Sequence, residues 1–279
     1  MRPSGCGILN SGLCGGGASA YESGGGICTK FWPRFTMRSA LRWFLFALLL
    51  MAPATPGRAF TDAELIDGFE RTVFGAEYWN FGWQASRVKK FAGPARVYVD
   101  DRSGAGRGAD AIRFLVSLPA LIEGLELEVV AEPSEANFRV YILSRANYRQ
   151  VVINEIYNRP ASSFAPGNCL VRVVSTGNGI ERADAVIVAD EGEFRFQRCL
   201  AEEILQGLGP TNDDRRLSAS IFNDSSRHAS FTDFDRHILN MLYHPAILPG
   251  MTRVEVRRIL PSVVAEVRGR LLGTSVSKH

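Results

Sequence analysis

The sequence predicts an α+β domain: a mixed sheet packed on helices, with an all-helical C-terminal part. Three observations carry this reading. A capped, amphipathic stretch occupies residues 61–75, β-branched and alternating runs recur between residues 95 and 189, and beyond about residue 193 the apolar residues fall only at helical spacing.

Thr61-Asp62-Ala63-Glu64 is a capping box, and Leu65, Ile66, Phe69 and Val73 follow on one helical face, so the first helix should end near Gly75. Residues 95–99 alternate as a strand, and a glycine-rich turn at 103–108 leads into a predicted helix over 109–123. Gly104, Gly106 and Gly108 have the spacing of neither nucleotide loop, and no Lys-Ser/Thr follows them, so they read as a turn. Residues 125–130 and 137–143 read as strands around Pro133, while 147–157 fits either helix or strand. Residues 170–175 and 185–189 give two more strands, a hairpin joined through 176–179.

A helix over 193–208 should place Phe196, Leu200, Ile204 and Leu208 on its apolar flank. Glu202 and Gln206 then lie about 40° apart on the other side, with Glu203 near the edge of the apolar face. Residues 220–224 form a short apolar turn. Thr232 and Asp235 cap a helix through Ile238, Met241 and Leu242 that Pro245 ends, Pro249-Gly250 makes a turn before Met251, and Thr252 with Glu255 caps a last helical region broken or kinked by Pro261.

Residues 1–36 are rich in glycine and serine without periodicity, and read as an untranslated or disordered extension. Met37 is the better start. Arg38 and Arg42, the apolar run 43–54 and Gly57-Arg58-Ala59 form a signal peptide over 37–59, cleaved after Ala59. The run is too short for a span of about 20 residues and is followed by Pro53 and Pro56, so an uncleaved anchor is the alternative reading and no stable membrane span is expected after cleavage. The cleavage site has no cysteine for a lipid anchor. Residues 60–279, about 220 of the 279, suit a single domain that is periplasmic or secreted.

Export leaves Cys169 and Cys199, which are expected to form a disulfide; thirty residues apart, they have no zinc or redox spacing. That bond would turn the Cys199–Gln206 arc towards the sheet or a cleft beside it. The net charge of +3 gives no argument for nucleic acid, and Arg253, Arg257, Arg258, Arg268 and Arg270, interrupted by Glu255 and Glu266, read as a solvated helix face.

The chemistry concentrates in Glu202-Glu203-x-x-Gln206-x-x-Gly209-x-x-Asn212-Asp213. This segment is similar to the metzincin pattern His-Glu-x-x-His-x-x-Gly-x-x-His, in which two ligands lie a helical turn apart, the glutamate activates water and the glycine turns the chain towards the third ligand. Glu203 and Gly209 stand at the catalytic glutamate and glycine; Glu202, Gln206 and Asn212 stand in place of the histidines. Taken with Ile221-Phe222-Asn223-Asp224, Asp235, Leu242-Tyr243-x-Pro245 and Pro249-Gly250-Met251, the chain resembles, over residues 65–260, an uncharacterised family of secreted proteobacterial proteins, domain of unknown function 2927. The resemblances imply an exported bacterial protein with a zincin-like domain, and a methionine turn at residues 249–251 below the metal position.

Donor chemistry separates the readings. Amides are poor zinc donors, and His228, His237, His244 and His279 show no helical pair, so zinc is not expected. The oxygen set Glu202, Gln206, Asn212 and Asp213, with Asn223 or Asp224, suits calcium or magnesium, although the dense Asp-x-Asp-x-Asp-Gly loop of a dedicated calcium site is absent. The same side chains could instead satisfy one another, or form the wet face of an amphipathic helix. Two functions follow: a pseudoenzyme binding an extended peptide in a degenerate metallopeptidase-like cleft, or a hydrolase of peptide or peptidoglycan amide bonds with Glu203 as general base.

Overall fold

The computed structural model describes residues 60–75, 84–158, 165 and 167–276. The extension and signal peptide read from the sequence, and His279, lie outside the described residues. Helix α1 spans Asp62–Val73, with Thr61 and Glu64 closing the capping box in both directions. Strand β1 covers Ala95–Arg102, three residues past the predicted alternation. Helix α2 spans Gly108–Ser117 and gives way to a 3₁₀ turn at Leu118–Ala120, earlier than residue 123, because Pro119 cannot donate to an α-helical ladder. Strands β2 (Leu127–Val129) and β3 (Phe138–Leu143) follow. The ambiguous stretch is helical: α3 over Arg145–Val151, continued by a π turn at Val152–Ile156.

Strands β4 (Cys169–Thr176) and β5 (Gly179–Val188) form an antiparallel hairpin across Gly177 and Asn178. Strand β5 begins six residues before the predicted strand at 185. Glu181, Arg182 and Asp184 concealed it, since charged residues lie low on any strand scale. Helices α4 (Glu193–Gly207), α5 (Asp233–Leu242) and α6 (Arg253–Val276) complete the chain. Pro261 does not break α6, which runs on as one helix; Val256, Leu260, Val263, Val264 and Val267 on both sides of the proline are packed in the core.

The five strands are ordered β2-β1-β3-β5-β4, with β1 parallel to β2 and β3, β3 parallel to β5, and β4 antiparallel at the edge. Alternation in β3 and β5 serves two cores. Phe138, Val140, Ile142, Ala183, Ala185 and Ile187 enter the main core shared with α1, α2, α4, α5 and α6, while Tyr141, Leu143, Val186 and Val188 meet Tyr148, Val151, Val152 and Ile156 in a smaller one. A sheet covered on both faces favours such near-continuous apolar strands.

Two glycines fix how α4 lies on this sheet. A Cβ on Gly207 would sit 2.3 Å from the Phe138 ring, and one on Gly209 would sit 2.1 Å from the Lys89 carbonyl oxygen. Gly209 also has φ +140°, a backbone conformation that side chains oppose. The chain therefore closes against the sheet at the end of α4 and turns sharply into residues 210–214. Among the described residues no helix is long and apolar enough to cross a membrane.

Candidate functional site

The last two turns of α4 are buried on every side. Glu202 and Glu203 are each only 5 % exposed and Gln206 2 %, which removes the wet-face reading. A buried carboxylate needs compensation, and Glu202 obtains it from Arg198 one turn earlier: Nη2 donates to Oε1 at 2.7 Å. The same guanidinium donates to the carbonyl oxygens of Ile221, Asn223 and His228 and to Ser226 Oγ, joining α4 to the loop over residues 221–228. Gln206 Nε2 donates to Asp213 Oδ1 at 2.8 Å.

A cavity of about 310 Å³ opens beside these residues. One wall is Gly167, Asn168 and the disulfide between Cys169, the first residue of edge strand β4, and Cys199 of α4. The other is Arg195, Arg198, Glu202, Glu203, Asp213 and Asp224. Carboxylate oxygens of Glu202, Asp213 and Asp224 lie within 4.8 Å of one another, in a series running from buried through half-buried to exposed. Three such oxygens could ligate a hard cation, although one oxygen of Glu202 already accepts from Arg198.

The structure does not bring every predicted residue to this cavity. Asn212 turns the other way: its Nδ2 donates to the Arg71 carbonyl at 2.8 Å and its backbone N–H to Thr72, so it fastens the loop to the end of α1. The extended loop alternates its side chains, and Asp213 rather than Asn212 faces Gln206. The Asn223 amide donates to the carbonyls of Arg215 and Leu217 and accepts from the Ser225 N–H, so it shapes its own loop. Met251 does not line the cavity. It packs partly against the main core and accepts the Val88 N–H at its carbonyl, because the 249–251 turn pairs with the segment before β1. His228, His237 and His244 are held separately by the Ser218 carbonyl, the Asp233 carbonyl and the Glu266 carboxylate.

Buried Asp235 supports the site from behind. It accepts from Ser220 Oγ, the Ile221 N–H and Thr232 Oγ1, so the α5 cap also holds the loop whose carbonyls receive Arg198. Burial pushes its carboxyl above the usual range, opposed by the Ser220 and Thr232 hydroxyls.

Three residues escaped the sequence reading. Arg198 had one available signal, its i,i+4 spacing to Glu202. Lys89 and Lys90 had none: both are buried, Lys89 Nζ donating to the Val73 and Gly75 carbonyls at the end of α1 and Lys90 Nζ to the Leu242 and Ile247 carbonyls at the end of α5. They cap two helix C-termini from one short segment.

Fold and site together define a mixed α+β domain with a carboxylate-lined cavity against a disulfide-anchored edge strand. The chain belongs to the family described as Protein of unknown function (DUF2927), which matches residues 62–262. No curated protein and no solved structure matches it.

Proposed function

We propose that this chain is an exported cell-envelope protein whose cleft is a degenerate metallopeptidase-like site, one that holds an extended peptide and has no zinc chemistry. The observation that carries the reading is the Arg198–Glu202 pair. A guanidinium sits on the carboxylate at the first ligand position, the second position is an amide donating to Asp213, and the third, Asn212, is turned towards α1. A cation at Glu202 would have to compete with a fixed positive charge, and none of these side chains is an imidazole or thiolate. Support for the peptide comes from β4, an antiparallel edge strand whose first residue lines the cavity; an edge of this kind offers backbone groups to an added strand. The degenerate, zincin-like character and the export belong to this proposal, and the partner is a peptide or a peptidoglycan fragment.

Metal analysis of the purified protein tests the reading, with less than a tenth of an equivalent of zinc expected. Stoichiometric zinc would overturn it. Fluorescently labelled casein fragments and muropeptides should bind without being cleaved.

The hydrolase reading is favoured by one observation, the burial of Glu203 in the same cavity as Glu202, where an apolar flank would suit a general base. Measurable hydrolysis that disappears in Glu203→Gln would establish it against the peptide-binding reading. A calcium or magnesium site on Glu202, Asp213 and Asp224 predicts a melting temperature that rises with the cation and falls with chelator, and a response abolished in Glu202→Ala. An unchanged melting curve would remove the cation.

A further inference from the structure

The loop that contributes Asp213 to the cleft presents Asn212 and Asp214 to a second cavity, of about 350 Å³, between α1 and the first turns of α6. Four guanidinium groups line it: Arg71 from α1, Arg216 from the loop, and Arg253 and Arg257 from α6. Three carboxylates hold three of them in place. Arg71 is gripped by Asp67 and Asp214, Arg216 by Asp214, and Arg257 by both oxygens of Glu70 at 2.5 Å. Arg253 lies over the Phe74 ring, 5.1 Å from its centroid, and donates through Nη2 to the Phe74 carbonyl at 3.3 Å. Among the described residues it has no carboxylate partner.

Four cations against three anions leave the cavity positive. Each guanidinium also keeps donor capacity, because an arginine has five N–H groups and a carboxylate uses two or three. Nη2 of Arg71 and Nη1 of Arg216, Arg253 and Arg257 have no protein partner among the described residues. Lys89 lies behind the cavity, close enough for the Arg253 charge to oppose its own. Guanidiniums already fixed by ion pairs lose little freedom when a further acceptor arrives, and their planar forks match oxyanions.

We propose that this cavity is an oxyanion-binding site, taking the phosphate or carboxylate group of a small ligand. Calorimetric titration of the purified protein with inorganic phosphate, and separately with sodium acetate, at constant ionic strength in sodium chloride tests it. Saturable binding of at least one is expected. Saturation by phosphate alone assigns a phosphoryl ligand, and saturation by both assigns a carboxylate-tolerant site. Arg253→Gln, which keeps a donor for the Phe74 carbonyl, should weaken binding about tenfold. Arg216→Gln provides a second variant at an exposed side chain and should weaken it in the same direction. Heats no larger than those of added chloride, or unchanged affinity in both variants, would overturn the site.

Discussion

The two cavities on either side of the 210–214 loop treat charge in opposite ways. In the cleft beside α4, carboxylates dominate and one arginine, Arg198, is bonded to the most buried of its carboxylate trio. Between α1 and α6, arginines dominate and carboxylates pin all but Arg253. Both depend on the alternation of Asn212, Asp213 and Asp214. The contrast lies in burial. The Arg198–Glu202 side chains are 12 % and 7 % exposed, whereas Arg257 and Arg216 are 57 % and 69 % exposed. The first pair is therefore part of the folded core, and the others are solvent-screened devices for holding guanidiniums in position.

That contrast breaks most readily at Arg198. Removing one partner of a buried pair leaves an uncompensated charge, so Arg198→Met should cost about 3–5 kcal/mol in urea unfolding, and adding Glu202→Met should restore most of it. A loss below about 1 kcal/mol would class the pair with the surface bridges and sink the proposal that it plugs the first ligand position. Arg257→Gln, its counterpart in the other cavity, should change stability little and only at low salt.

The disulfide gives the next largest effect. Cys169 and Cys199 close a 30-residue separation and fasten the start of β4 to α4 a turn before Glu202. Reduction should cost about 2–4 kcal/mol. Its bearing on the comparison is selective: the proposed peptide binding in the cleft should weaken on reduction, while the proposed oxyanion binding between α1 and α6 should not. Thiol titration of the unfolded, unreduced protein should find neither cysteine reactive.

How much of this was legible depended on whether a signal was local. The capping box at Thr61, the N-cap at Thr232, the α4 helix and the pairing of Cys169 with Cys199 rest on spacings of a few residues or on a simple elimination, and the structure has them all. Strand β5 was half-concealed because Glu181, Arg182 and Asp184 read as loop, although the stretch pairs with β3 and β4 and Arg182 compensates the buried Asp184 with two hydrogen bonds. At the site, Glu202, Glu203, Gln206, Asp213 and Asp224 were foreseen as neighbours, and all but Gln206 line one cavity, with Gln206 bonded to Asp213. Asn212 and Asn223 were misplaced because motif offsets fix sequence distance, not the direction in which an extended residue points. Lys89 and Lys90 were invisible for a related reason: the helix-end carbonyls they cap lie 14 to 157 residues away.

Those lysines give the most directional test, and through Arg253 Lys89 bears on the positive side of the comparison. Burial lowers both ammonium groups to about 8, helped at Lys89 by the Arg253 charge. An unfolded lysine keeps its proton to about 10.4. Between these values the unfolded chain binds more protons than the folded one, so stability should rise with pH from about 8 towards 10. Above that, unfolded tyrosine ionises near 10 while burial holds Tyr243 neutral, and the trend should reverse. Urea unfolding at pH 7.5, 8.5 and 9.5 measures the slope. Lys89→Met should flatten it, and Arg253→Gln should shift its onset to higher pH by removing the opposing charge. A slope that falls through this range in the unmodified protein would mean that the carbonyls of Val73 and Gly75 stabilise the ammonium more than burial penalises it, and Lys89 would then act as a charged cap on α1.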